Sequence, residues 1–255
     1  AQPVPFGYFQ TGAVFYPNPS KKPLEKRPKK PFFLRGKCGI MESMVITYYG
    51  LSCFKVQSGD LTIAFDPPSK ESDMRPPRFE THMVLSSHDH PRHNGLKELS
   101  GKKDKEPFFI SGPGEYEVEG VSVIGFPSWH DREKGKTRCP NTIYLVSMEG
   151  ITLCHLGDIG SEEIESDTVE GLGEIDVLFI PIGGKDVVEP EAAAKIAGRL
   201  EPKAVIPMHY TEDTLKEFLK ELGEERPKAE EKFTFKKKEL PEEGLKVVIL
   251  APAIG

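Results

Sequence analysis

Three of the seven histidines fall within six consecutive residues, in the run His88-Asp89-His90-Pro91-Arg92-His93. The apolar segment His82–Leu85 leads into this run and predicts a strand that ends just before it. In an extended segment His88 and His90 share one face, and just past a strand end both can converge on one ion. Neutral imidazole binds zinc and several other transition ions. A solvated histidine-rich loop is the alternative interpretation, but the density of the cluster favours a metal site.

Three further candidate ligands each follow an apolar segment elsewhere in the chain. His130 follows residues 123–129, Asp158 follows residues 151–157, and His209 follows residues 205–208. Taken singly, each is an ordinary loop residue. Strands of one sheet system can bring their ends together in space, so these residues and the histidine run jointly predict one functional site at a sheet edge.

The segment Ser87–Asn94 resembles the H-x-H-x-D-H signature of the metallo-β-lactamase superfamily. Four other segments are similar to parts of the same superfamily in the same order: residues 50–54, 112–116, 155–158 and 207–210. The resemblance covers about residues 44–250. It implies an α/β fold of the α+β type, a four-layer αββα sandwich with the metal site at one edge of the two sheets.

The resemblance also implies a role for each candidate ligand. A first metal would be bound by His88, His90 and His130, a second would be bound with the help of His93 and His209, and both would be bridged by Asp158. The implied cofactor is Zn²⁺, as one or two ions, with Mn²⁺ or iron as alternatives. His155 is expected to lie behind the ligands or in the core, and His82 lies too early in its strand to be a ligand.

Arg92 stands where the superfamily signature has an aspartate that serves the second metal. A guanidinium has no lone pair and repels a nearby cation, so Arg92 cannot replace that ligand. Three outcomes are open: the site holds one metal, it holds a weak second ion, or Arg92 turns away and binds a substrate anion. Asp89 is expected to point away from the metal. Leu51 is a second departure, because many relatives carry histidine there.

The expected chemistry is metal-assisted hydrolysis, in which a metal-bound hydroxide attacks a carbonyl or phosphoryl centre. Asp158 would orient the nucleophile or take its proton, and Tyr210 or Arg92 would stabilise the developing oxyanion. For Tyr210, a packed aromatic is an equal alternative. The resemblance points to the small branch that contains L-ascorbate-6-phosphate lactonase. It therefore implies an anionic small-molecule substrate that is an ester, lactone, lactam or phosphodiester.

Two other functions stay open at this point. A non-catalytic metal-binding or ligand-sensing protein would account for Arg92. A nuclease or phosphodiesterase would use the basic residues of segment 1–40 and of Lys236–Lys238.

The first 40 residues differ from the rest in composition and charge. They contain eight Lys/Arg, one acid and seven prolines, which predicts a basic Pro-rich N-terminal extension over residues 1–40. Because the whole chain carries −6, residues 41–255, the predicted hydrolase domain, carry −13. An acidic body argues against broad nucleic-acid binding, which needs clustered cations.

The four cysteines form no C-x-x-C pair. We expect reduced thiols and a cytoplasmic protein. No apolar run approaches the roughly 20 residues that cross a bilayer, so no membrane association is expected.

Periodicity predicts an antiparallel meander of strands over residues 45–65 and later strands at 108–110, 115–118, 121–125, 142–147 and 151–155. Helices are expected at about 94–99, 161–170 and 211–222, with a further helix opening at Pro190. Continuous apolar runs at 176–181 and 204–207 predict buried strands between these helices.

Overall fold

A computed structural model describes residues 43–133 and 135–253. The predicted extension over residues 1–40 lies outside the described residues, as does Cys38. The strands of the described part are β1 (Met44–Gly50), β2 (Cys53–Ser58), β3 (Leu61–Phe65), β4 (Glu80–Thr81), β5 (Met83–Ser86), β6 (Ser100–Gly101), β7 (Phe108–Ser111), β8 (Gly114–Val118), β9 (Val121–Trp129), β10 (Pro140–Met148), β11 (Ile151–His155), β12 (Val177–Pro181), β13 (Ala204–Met208), β14 (Phe233–Phe235) and β15 (Lys246–Val247). Its α-helices are α1 (Ser166–Leu172), α2 (Pro190–Leu200) and α3 (Glu212–Leu222), and none of them is long and apolar enough to span a membrane.

The first sheet has six strands in the order β14-β1-β2-β3-β5-β7. β1, β2 and β3 form the predicted antiparallel meander, and β3, β5 and β7 run parallel. Apolar residues alternate along these strands, so one face is apolar. Ile46, Val56 and Ile63 lie side by side on that face, and all three are buried.

The second sheet has seven strands in the order β15-β13-β12-β11-β10-β9-β8. β12 and β13 are buried at every position, as expected for parallel strands covered on both faces. The main core lies between the sheets, where Phe179 packs 4.6 Å from Phe54 and 5.8 Å from Phe65 by ring centroids. All three helices pack on the opposite face of this sheet. The predicted α/β sandwich is therefore confirmed.

The helix predicted at about 94–99 is wrong, because this segment forms turns. It covers a small apolar cluster of Ala64, Val84 and Leu99 on the outer face of the first sheet. Gly95 donates its N–H to the Pro67 carbonyl at 2.7 Å. A Cβ on Gly95 would lie 2.2 Å from the Pro68 oxygen. This close contact with the backbone of Pro67 and Pro68 holds the segment in its turns. It joins residues distant in sequence, so the apolar periodicity of residues 94–99 does not predict it.

Strand directions bring several loops to one edge of the sandwich. β9 is antiparallel to β10, β10 is antiparallel to β11, and β11 to β13 are parallel, so β9, β11 and β13 end at the same edge. In the first sheet, β1, β3 and β5 share one direction by the same reasoning. The chain segments that follow these strands carry every predicted ligand.

Substitution of Gly95 is expected to strain this edge. Gly95→Ala should lower the free energy of unfolding by about 1–3 kcal/mol, because the new methyl meets rigid backbone. Urea denaturation would measure it. Gly198→Ala is the matched control, since Gly198 lies exposed in α2 with open space around its Cβ position. It should stabilise the protein by about 0.4–1 kcal/mol. Equal effects of the two substitutions would contradict this account of residues 94–99.

Candidate metal centre

The structure brings the six predicted metal ligands together. The Oδ2 atom of Asp158 lies 3.3 Å from His93 Nε2, 3.5 Å from His209 Nε2, and 3.8 Å from the Nε2 atoms of both His88 and His130. His90 completes the cluster from the exposed side, because its ligand atom lies within 4.8 Å of those of His88 and His93. Three other segments of the chain therefore converge on the carboxylate of Asp158.

A glycine and an asparagine hold Asp158 in place. Gly157 has φ = 59°, and a Cβ there would lie 2.2 Å from the side-chain oxygen of Asn141. That oxygen accepts the Asp158 backbone N–H at 3.1 Å, and the Asn141 amide donates to the Leu156 carbonyl at 2.9 Å. Only glycine fits between Asp158 and this asparagine, so the turn after β11 is fixed from both sides.

Asp66 and Ser87 orient His88, and the sequence analysis missed both. Asp66 accepts hydrogen bonds from the backbone N–H and the hydroxyl of Ser87, both at 2.6 Å. The same Ser87 hydroxyl is hydrogen-bonded to His88 Nδ1 at 3.0 Å. Nδ1 of His88 is therefore engaged, and Nε2 is the ring nitrogen that faces Asp158.

His88 Nε2 is buried and has no hydrogen-bond partner. Buried polar groups are nearly always paired, so an orphaned nitrogen needs an explanation. This nitrogen lies 3.8 Å from an Asp158 carboxylate oxygen, too far for a hydrogen bond, and a cation between the two atoms would satisfy both. Among the described residues, this atom gives the most direct indication that the cluster is built to hold a metal ion.

Ser52 orients the ring of His93, as Ser87 orients the ring of His88. Its hydroxyl lies 2.6 Å from His93 Nδ1 and 3.3 Å from Asp158 Oδ1. Ser52 follows Leu51, which has φ = 49° and accepts the His209 backbone N–H at 2.9 Å. The turn between β1 and β2 therefore supports both halves of the cluster, through the main chain of Leu51 and the side chain of Ser52.

Burial controls the charge of the histidines. It lowers the pKa of His88 to about 3 and that of His93 to about 4, and it also lowers the pKa of His130. These rings are therefore neutral at neutral pH, which is the form that binds metals. For Asp158, burial opposes ionisation, but the surrounding imidazoles outweigh it and hold the pKa of this carboxyl well below its usual range. The centre combines neutral nitrogens with one anionic carboxylate.

Burial also raises the pKa of Asp66 to about 8, against the opposing effect of its hydrogen bonds with Ser87. Asp66 lies 4.0 Å from His93 Nδ1. It follows the apolar strand β3, so the strand-end pattern that identified Asp158 also applied to this residue.

Arg92 pairs with an acidic side chain outside the cluster. Its guanidinium forms a bidentate pair with Asp73, with Nε to Oδ1 at 3.0 Å and Nη2 to Oδ2 at 2.8 Å. The fork of Arg92 is therefore occupied by a carboxylate of the chain itself, and its charge is neutralised locally. The three predicted outcomes for the metal site stay predictions.

The remaining predicted residues are Tyr210, His155 and His82. Tyr210 is half-buried and packs against the apolar cluster between the second sheet and the helices, so its catalytic role stays a prediction. His155 is fully buried, stacks on Phe65 at 4.9 Å, and donates from Nε2 to the Ser52 carbonyl at 3.1 Å. His155 is therefore a core residue, one of the two positions expected for it. His82 directly precedes β5, and its Nε2 is 3.7 Å from Glu119.

The loop after His130 is fixed by Asp131, whose carboxylate accepts the backbone N–H groups of four residues: Glu133, Gly135, Thr137 and Arg138. Burial opposes the charge of Asp131, but these donors lower its pKa to about 2. The loop delivers Arg138 to the cluster, with Nη1 3.4 Å from His130 Nε2 and Nη2 2.8 Å from Asp186.

Comparison with known proteins agrees with this geometry. A family model described as the β-lactamase superfamily domain matches residues 45–209. The chain belongs to the β-lactamase superfamily. The match begins in β1 and ends at His209, so it contains all six predicted ligands.

Relatives within the superfamily are named as metal-dependent hydrolases. A UPF0173 metal-dependent hydrolase of Thermococcus onnurineus is 27% identical over 188 residues, which are 65% of this chain and 84% of the relative. One from Lysinibacillus sphaericus is 30% identical over 200 residues, with 66% and 85% covered. The structure of a provisionally named Zn-dependent hydrolase of the metallo-β-lactamase superfamily from Thermotoga maritima aligns with a TM-score of 0.63 and 30% identity, covering 81% of this chain and 98% of that one.

Loss of the Ser87 hydroxyl should weaken metal binding. Ser87→Ala removes the group that fixes the ring of His88, and such changes behind a ligand typically cost about 10- to 100-fold in metal affinity. Competition with a chromophoric chelator would measure the dissociation constant for Zn²⁺. Ser58→Ala is the matched control, because the Ser58 hydroxyl is buried without a hydrogen-bond partner and lies in β2 away from the ligands. Equal affinities of Ser87→Ala and the unmodified protein would refute the role of Ser87.

Proposed function

We propose that this member of the β-lactamase superfamily is a metal-dependent hydrolase that acts on a small ester, lactone, lactam or phosphodiester. The observation that carries the proposal is the unpartnered Nε2 atom of His88, buried beside an ionised carboxylate and neutral imidazoles. That donor set fits a divalent transition ion. The names of the relatives support the same reaction class.

We propose Zn²⁺ as the ion, because nitrogen donors outnumber carboxylate oxygens in the cluster. The first position would be held by His88, His90 and His130, and the second by His93, His209 and Asp158. When bound, the ion would polarise the electrophile and lower the pKa of a coordinated water to about 7. Mn²⁺ and iron are the alternatives that metal analysis would distinguish.

Asp158 has the properties of a group that orients the attacking water. It is ionised, it is buried, and the only side-chain hydrogen bond to its carboxylate among the described residues comes from Ser52. Ser52 holds Oδ1, which leaves Oδ2 directed at the four Nε2 atoms. A carboxylate fixed in this way can orient a water molecule without reorganising, while its low pKa makes it a weak base for that water.

We propose an anionic substrate from the lactonase-like class. The support is the likeness of residues 50–54 to that branch and the presence of Arg138 beside His130. Arg138 is about one-third exposed, so part of its guanidinium can meet an incoming anion. Each arginine is paired with an aspartate, Arg92 with Asp73 and Arg138 with Asp186, and we favour Arg138 because its guanidinium contacts the ring of His130.

The non-catalytic alternative rested on Arg92, whose charge Asp73 neutralises. The nuclease alternative used the basic segment 1–40, which lies outside the described residues, and Lys236–Lys238, of which the structure gives Lys237 another role. Its ammonium lies 3.0 Å from Asp176 and donates to the Gly150 carbonyl at 2.6 Å. We therefore favour the small-molecule hydrolase over both alternatives.

Removal of the Asp158 carboxylate should abolish most turnover. Asp158→Asn is expected to lower kcat/KM by about 10²- to 10⁴-fold on whichever ester, lactone, β-lactam or phosphodiester substrate the Zn²⁺-loaded protein hydrolyses. Asp89→Asn is the matched control, because Asp89 is exposed in the same loop and its carboxylate bonds to Asn94. The proposal fails if the metal-loaded protein turns over no substrate of the panel, or if the purified protein binds no divalent transition metal.

Restoring a carboxylate at position 92 should raise the metal content. We expect the native chain to retain one tightly bound ion and Arg92→Asp to approach two, because the superfamily signature has a second-site ligand there. Elemental analysis after gel filtration would measure the stoichiometry. Arg92→Asn is the matched control, since it removes the same charge without adding a carboxylate. Equal metal content in the Asp and Asn variants would contradict our interpretation of Arg92.

A further inference from the structure

A thiol lies beside the first metal position. Cys139 directly precedes β10, and its Sγ atom is 3.9 Å from Nδ1 of His130. One ligand atom from each of His88, His130 and Cys139 lies within 4.8 Å of the other two. The ligand set implied by the superfamily signature does not contain this cysteine.

The orphaned nitrogen of His88 belongs to the same group. Its Nδ1 is engaged by Ser87, so Nε2 is the ring atom free to bind a ligand, and its side chain is fully buried. Cys139 is only half-buried, so its sulfur reaches the cluster from the solvent side. The other described thiols, Cys53 and Cys154, are buried in strands.

The position of Cys139 is set by the fold. Arg138, the preceding residue, donates its backbone N–H to Asp131 at 2.7 Å, and its side chain is anchored on Asp186. The following residue, Pro140, begins β10 and pairs with Trp129 in the sheet. The cysteine is therefore held on both sides, next to the strand end that carries His130.

We propose that Cys139 is a thiolate ligand of the ion bound by His88 and His130, an inference that rests on the proposed metal dependence. On binding, the S–H bond ionises, its proton leaves to solvent, and a sulfur lone pair forms the metal–sulfur bond. Neighbouring nitrogen and sulfur ligands of one tetrahedral zinc are about 3.6 Å apart, given bonds of about 2.0–2.1 and 2.3 Å. The observed 3.9 Å joins Sγ to Nδ1 of His130 and is a few tenths of an ångström longer, so His130 would bind this ion through Nδ1 while its Nε2 faces Asp158.

A sulfur ligand would change which ions the centre prefers. Thiolate is a softer donor than the carboxylate that Arg92 replaces, and soft donors favour Zn²⁺ and other thiophilic ions over Mn²⁺. The chain would then have lost a hard ligand at the second metal position and gained a soft one at the first.

Absorption spectroscopy of the Co²⁺-substituted full chain tests this inference without measuring activity. Bound Co²⁺ should show an intense near-ultraviolet sulfur-to-cobalt charge-transfer band in the unmodified protein. Cys139→Ser should still bind Co²⁺ through the histidines, with visible d–d absorption, but should lose that band. Cys154→Ala is the matched control, because it also removes one thiol, and it should keep the band.

The outcomes separate this inference from the proposed function. If the unmodified protein binds Co²⁺ without a charge-transfer band, or if Cys139→Ser retains the band, Cys139 is no ligand. The hydrolase proposal then stands, and the thiol is only a neighbour of the His130 ring. If no Co²⁺ or Zn²⁺ binds to the unmodified protein, the proposed metal dependence itself fails.

Discussion

The rest of the site depends on one buried charge. The carboxylate of Asp158 is almost completely enclosed, and an ionised carboxylate without partners is very costly in a protein interior. Among the described residues its side-chain hydrogen bond comes from Ser52 at 3.3 Å, which is too little to replace lost hydration. The imidazoles that surround it are themselves neutral because burial lowers the pKa of His88 and His93. A metal cation is the partner that satisfies the carboxylate and the free nitrogens together.

The sandwich fold holds Asp158 and the surrounding histidines in a rigid arrangement. Strands from two sheets end at one edge, and the apolar core between the sheets fixes how far apart those ends lie. His155 links the layers, since it stacks on Phe65 of the first sheet and bonds to the Ser52 carbonyl. Because Ser52 in turn contacts His93 and Asp158, packing in the core is transmitted directly to the ligands.

The sequence predicted the strands and the six candidate ligands because both leave local patterns. Apolar alternation marks a strand, and a histidine or aspartate directly after it marks a sheet edge. Ser52, Ser87 and Cys139 could not be found in this way, since their contacts are with residues brought near by topology. The helix expected at 94–99 failed for the same reason: the contact of Gly95 with Pro67 and Pro68 lies between loops. Asp66 is different, because its strand-end position was visible in the sequence.

Arg92 shows how a cation is accommodated within the histidine run. A guanidinium beside the candidate ligands would repel an ion, yet Asp73 in the neighbouring loop binds it bidentately and neutralises its charge locally. Both side chains are exposed and solvent screens the pair, so it adds little to stability. Its consequence is electrostatic, because a guanidinium paired with a carboxylate repels a nearby cation less than a free one does. The candidate donors of the cluster are then imidazole nitrogens together with the carboxylate of Asp158.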